Sequence, residues 1–62
     1  MTTLKIYTNH SDKLIVTIHN IEDLFHQYGI DPTDQDLFES EILEDIFEEE
    51  CLNSSHVYYE LI

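Results

Sequence analysis

Residues 13–28, Lys-Leu-Ile-Val-Thr-Ile-His-Asn-Ile-Glu-Asp-Leu-Phe-His-Gln-Tyr, decide the fold, because the spacing of apolar side chains changes within them. Up to His19 the repeat is two. Leu14, Val16 and Ile18 alternate with Ile15, Thr17 and His19, which predicts a half-buried strand with Leu14, Val16 and Ile18 turned inward. From Ile21 the repeat lengthens, and Ile21, Leu24, Phe25 and Tyr28 fall at i, i+3, i+4 and i+7 on one face of a helix. Asn20 stands at the junction with the side chain of a good N-cap, Asp23 complements it three residues on, and Gly29 closes the helix.

Outward from this junction, the same two periods organise the rest of the chain. Thr3 to Thr8 alternates with Leu4 and Ile6 on one face and Lys5 and Tyr7 on the other, and Asn9-His-Ser-Asp12 is turn chemistry. The first nineteen residues therefore predict an antiparallel hairpin. Beyond Gly29, Ile30-Asp-Pro-Thr33 is a short connection in which Thr33 or Asp31 is placed to cap a second helix. Asn53-Ser-Ser55 breaks that helix. His56 to Ile62 then alternates, with Val57, Tyr59 and Leu61 against Tyr58, Glu60 and Ile62, as a third strand. The expected fold is α+β: one domain over residues 1–62, ordered ββααβ, a three-stranded antiparallel sheet with two helices on one face. Tyr7, Ile15, Tyr58 and Ile62 then fall on the uncovered face, the natural place for a homodimer or a partner contact.

The second helix carries an unusual charge. Residues 34–50 hold nine carboxylates in seventeen positions and no basic side chain. At about 100° per residue, Phe38, Ile42, Leu43, Ile46 and Phe47 share one side, whereas Asp34, Glu41, Glu44, Asp45 and Glu48 gather on the other. Like-charge neighbours at 41/44, 41/45, 44/48, 45/48 and 45/49 each cost roughly 0.2–0.5 kcal/mol, and Glu48, Glu49 and Glu50 occupy the negative end of the helix dipole. A helix selected only to fold would avoid this arrangement.

Across the chain, two lysines oppose fourteen acids, for a net charge of −12. Residues 1–19 hold Lys5, Lys13 and Asp12, a net of +1; residues 20–62 hold thirteen acids and no Lys or Arg, a net of −13. Direct nucleic-acid or anionic-membrane binding is excluded on that balance, since phosphates would be repelled, and a basic partner is favoured. The N-terminus lacks a basic segment followed by an apolar run, and no window approaches the length of a membrane span. A soluble cytoplasmic protein is expected, residing in the host cytoplasm if the chain is viral. The sequons at Asn9 and Asn53 carry no weight without a secretory route.

Catalytic and metal chemistry find little support. Sixty-two residues offer little pocket, the carboxylates look uniformly solvated, and no nucleophile stands beside a base. Cys51, the single cysteine, has no basic neighbour in sequence and reads as a half-buried filler beside Leu52. His10, His19, His26 and His56 share neither an i, i+4 spacing nor a cysteine partner, so no zinc site is expected. Asp34-x-Asp36 begins like a calcium loop, but Phe38 takes the next ligand position and no glycine provides the turn. A non-enzyme without cofactor is the expectation.

The charge array itself remains. On a helix rising 1.5 Å per residue, Glu41, Asp45 and Glu48 stand roughly 4.5–6 Å apart, close to the scale on which a nucleic-acid strand repeats its phosphates. In size, charge and lack of an active-site constellation, the chain resembles the small acidic inhibitors that bacteriophages make against host DNA-handling enzymes. These include DNA mimics acting on restriction enzymes, CRISPR nucleases or uracil-DNA glycosylase. Within Leu37-Phe-Glu-Ser-Glu-Ile-Leu43, the Glu39-Ser40 pair is similar to the Glu-Ser segment of the uracil-DNA glycosylase inhibitors, although Glu41 stands where that family places an aliphatic residue. The resemblance implies that Glu39 and Ser40 enter a DNA-binding groove beside an apolar pocket that receives an enzyme loop. The partner-binding set expected is thus Asp34, Glu39, Ser40, Glu41, Glu44, Asp45 and Glu48. The alternative is a small acidic adaptor that binds a protein through its sheet face or C-terminal strand, its acid serving solubility.

Overall fold

A computed structural model describes residues 3–62. Three strands, β1 (Thr3–Thr8), β2 (Leu14–His19) and β3 (Val57–Leu61), form one antiparallel sheet in the order β2-β1-β3. Between β2 and β3 the chain builds α1 (Ile21–Tyr28) and then a continuous helical rod over residues 35–49. The ββααβ order and the three-stranded antiparallel sheet expected from the period changes are those observed.

Each element forms for a legible reason. Leu4 and Ile6 of β1 are fully buried, and Val57 of β3 is nearly so; Val16, Ile18, Tyr59 and Leu61 complete the inner face of the sheet. Against them pack Ile21 and Phe25 of α1 and Phe38, Ile42, Leu43 and Ile46 of the rod, in a core with no buried polar group among the described residues. Phe38 is its hub, stacked on Phe25 at 5.4 Å between ring centroids and edge-on to Tyr59 at 5.5 Å.

Several local expectations are corrected. Leu14 is not inward but 44% exposed. The ladder runs Ile6 opposite Val16 and then Tyr7 opposite Leu14, which leaves Ile15 as the extra residue of a β-bulge. One inserted residue reverses the facing of everything before it, so Leu14 joins Tyr7 on the outer face. Asn20 does not cap α1 with its side chain. It lies in the left-handed region at φ 57°, which a single-residue link from β2 to α1 demands, and its carbonyl accepts the Asp23 N–H at 3.0 Å. An N-cap side chain needs the extended backbone that this turn forbids. Tyr28 is exposed and leaves the apolar face of α1.

The second helix is capped by Asp34, rather than Thr33 or Asp31. Asp34 Oδ1 accepts the Leu37 N–H at 3.1 Å. Asp31 is engaged instead by the Thr33 N–H and hydroxyl at 2.9 and 2.8 Å. The Thr33 backbone N–H, then its hydroxyl, hold the Asp31 carboxyl below the usual range.

The rod itself is not a regular α-helix. It runs as α2 (Gln35–Leu37), a π-helical segment (Phe38–Leu43) and α3 (Glu44–Glu49), with right-handed helical backbone at every junction. The reason lies in the spacing of its core side chains, which fall at i, i+4, i+5 and i+8 from Phe38. On a regular helix Leu43 would stand about 140° from Phe38. A turn with i to i+5 bonding absorbs one residue and returns Phe38, Ile42 and Leu43 to one buried face.

Both helix ends use the same left-handed closure. After α1, Gly29 at φ 68° donates to His26 O at 3.1 Å and Ile30 to Phe25 O at 2.9 Å. After α3, Cys51 at φ 58° donates to Glu48 O at 3.2 Å and Leu52 to Phe47 O at 2.7 Å. The rod therefore ends before Asn53-Ser-Ser55, and Cys51 is exposed, not a half-buried filler.

Candidate acidic interaction surface

The rod presents its carboxylates to solvent while its apolar stripe faces the sheet. Glu39, Ser40, Glu41, Glu44, Asp45 and Glu48 are all exposed; Asp34, half-buried at the helix start, is engaged in capping. Among the expected residues, Asp34 is thus structural and stands apart from the others. The remaining acids do not form one ridge. They divide into two flanks.

One flank leans toward α1. The Tyr28 hydroxyl donates to Asp45 Oδ2 at 2.9 Å. That bond is the main reason its proton is held more tightly than in a free tyrosine, followed by burial and the charges of Asp45, Glu49 and Glu41. Glu41, Asp45 and Glu49 therefore form one row at i, i+4 and i+8. Glu49 belongs to this surface although the expected binding set left it out, its like-charge pairing with Asp45 and its place at the dipole end being the signals that pointed to it.

The other flank borders a groove of about 540 Å³, lined by Glu39, Leu43, Glu44, Phe47, Glu48, Leu52 and Ser54. Here the π-helical turn has a consequence for charge. Glu39 and Glu44 are five residues apart, which a regular helix would turn to different sides, and the wide turn sets both along the same groove. Glu39 is also fastened to the sheet. Its Oε2 accepts the Tyr59 hydroxyl at 2.8 Å and lies 3.5 Å from Gln35 Nε2. The Tyr59 hydroxyl is raised above the ordinary tyrosine range by burial first and then by this bond.

Glu39 and Ser40 point to different uses. Glu39 is restrained through Oε2 while it lines the groove, whereas Ser40 is exposed and is not among the groove residues. Leu43, Phe47 and Leu52 supply the apolar floor, and sequence periodicity assigned the first two only to the core. Leu52 reaches the groove because the left-handed Cys51 folds the chain back over Phe47.

Among the described residues, no three His, Cys, Asp or Glu side chains gather where they could hold a metal ion, and no helix is long and apolar enough to cross a membrane. Comparison of the chain with known protein families, characterised proteins and solved structures finds no match.

Proposed function

We propose that this protein is a non-enzymatic inhibitor that occupies the nucleic-acid-binding groove of a basic DNA-handling protein through charge mimicry. Restriction nucleases, CRISPR nucleases and uracil-DNA glycosylase are the target classes. The observation that carries the reading is the outward display of Glu41, Glu44, Asp45, Glu48 and Glu49 along one rod whose like-charge neighbours oppose its own stability. Two rows of carboxylates, each spaced by about 6 Å for four residues of helix, present a basic cleft with a negative surface on a rigid backing. Long-range attraction accelerates encounter. The groove floor of Leu43, Phe47 and Leu52 then supplies a contact that salt does not screen, so it acts on dissociation.

The test is capture from a bacterial lysate on the immobilised protein with salt-gradient elution, beside a variant carrying Glu41→Gln, Glu44→Gln, Asp45→Asn and Glu48→Gln. Recovery of a DNA-handling protein that elutes with salt, competes with DNA and is lost from the variant is the expected result. The variant should fold, and gain about 1–2 kcal/mol as five like-charge pairs disappear. A variant that binds as tightly as the parent at physiological salt refutes the mimicry.

A further inference from the structure

The outer face of the sheet is ordered in three rows across β2, β1 and β3. Leu14, Tyr7 and Tyr58 form the first, Thr17, Lys5 and Glu60 the second. Thr3 lies between His19 and Ile62 in the third, bonded to Ile62 in both directions at 2.9 and 3.1 Å. Among the described residues no helix covers this face, and Leu14, Tyr58 and Ile62 are 44, 40 and 53% exposed. Its aromatic pair is already fixed in place. Tyr7 and Tyr58 stack at 5.2 Å, the Tyr7 hydroxyl donates to Glu60 at 3.2 Å and the Tyr58 hydroxyl to Asp12 at 2.9 Å. Rings held this way lose little freedom when something docks on them.

We propose that the occupant of this face is a second copy of the chain, packed sheet to sheet about a two-fold axis. The charge pattern selects it. A protein of net charge −12 repels its own kind through every surface dominated by acid, and its only two lysines lie at the sheet, Lys5 on this face and Lys13 at the hairpin end. The face is also complementary to itself. A two-fold axis running along the strands between β1 and β3 sets Lys5 of each copy against Glu60 of the other, and Tyr7 against Tyr58. Sheets packed face to face lie about 10 Å apart, and the acidic rods lie on the far sides of both. Their separation exceeds the screening length of about 8 Å at physiological salt. The dimer would display two acidic rods pointing in opposite directions, and it stands independently of what those rods bind.

Sedimentation equilibrium of the intact protein over a range of salt tests this. Association should tighten by about tenfold or more between roughly 0.05 and 0.5 M NaCl, because the net repulsion is what salt removes. Lys5→Glu should weaken the dimer at least about tenfold, and Lys5→Glu combined with Glu60→Lys should restore it, since the pair exchanges across the axis. Should the single variant fail to fold, isotope-filtered nuclear Overhauser contacts in the unaltered protein decide the question: contacts between Tyr7 and Tyr58 of different copies support the proposal. A protein still monomeric near 1 mM in high salt overturns it, as does a dimer joined through helical residues or indifferent to Lys5→Glu.

Discussion

The sheet and the helical rod are built to different standards. In the sheet half, the left-handed positions at Asp12 and Asn20 are filled by residue types that tolerate that backbone, and the inserted Ile15 is absorbed in a bulge at the strand end. In the rod, like charges face one another, a residue too many forces a π-helical turn, and the closing left-handed position carries Cys51 where Gly29 serves α1. Both halves contribute to one core, and the departures from ideal helix chemistry lie in the segment that displays the acids. A surface specialised for binding is the expected place for such departures.

The comparison breaks most completely at the seam. Phe38 is 1% exposed and touches the rings of both Phe25 and Tyr59. Phe38→Ala should cost about 3–5 kcal/mol. At about 0.05–0.15 kcal/mol per residue, a domain this small has little more to lose, so thermal melts should lose their cooperative transition.

A smaller change sharpens the contrast between the two helix ends. Cys51→Gly removes a left-handed non-glycine residue and should stabilise by about 1 kcal/mol, raising the melting temperature by roughly 4–8 °C. Gly29→Ala should move it down by a similar amount, because its φ of 68° penalises a Cβ even though no atom lies within 4 Å of one. Equal responses of the same sign at the two ends would remove the distinction.

Deleting Ser40 tests the origin of the π-helical turn. With one residue fewer, the core side chains fall at i, i+3, i+4 and i+7 from Phe38, the spacing of a regular helix. Circular dichroism should keep its helical signal, and the melting temperature should stay within a few degrees, corresponding to less than about 1 kcal/mol. Deleting Asp45, which lies beyond the turn, rotates Ile46 off the core by about 100° and should unfold the domain.

The smallest expected effect concerns the two tyrosines that tie the rod to its neighbours. Tyr28 and Tyr59 hold their protons more tightly in the fold than in the unfolded chain. Their contribution is therefore complete below the ordinary tyrosine value of about 10 and is lost as pH rises through the higher folded value. Denaturant melts above pH 10 should show a decline in stability that Tyr28→Phe and Tyr59→Phe reduce. An alkaline decline of unchanged size in both variants would mean that these hydroxyls do not fasten the rod.

Much of this architecture was determined by the sequence alone. Period two on either side of a period near 3.6 specified the strands, the helices and their order, because a side chain's facing depends on local backbone geometry. Gly29 as a helix end was legible in the same way, and so was the display of acid on the rod. Tertiary structure decided which residues escaped their local pattern. Leu14 faces outward and Tyr28 leaves the core because pairing with β1 and the reach to Asp45 outweighed simple alternation. The spacing of Phe38, Ile42 and Leu43 already held the extra residue, but a regular helix read at about 100° per residue tolerates it as a broad stripe. Only packing against Leu4, Ile6 and Phe25 requires those side chains on one narrow face, and so selects the wider turn that gathers Glu39 and Glu44 along one groove.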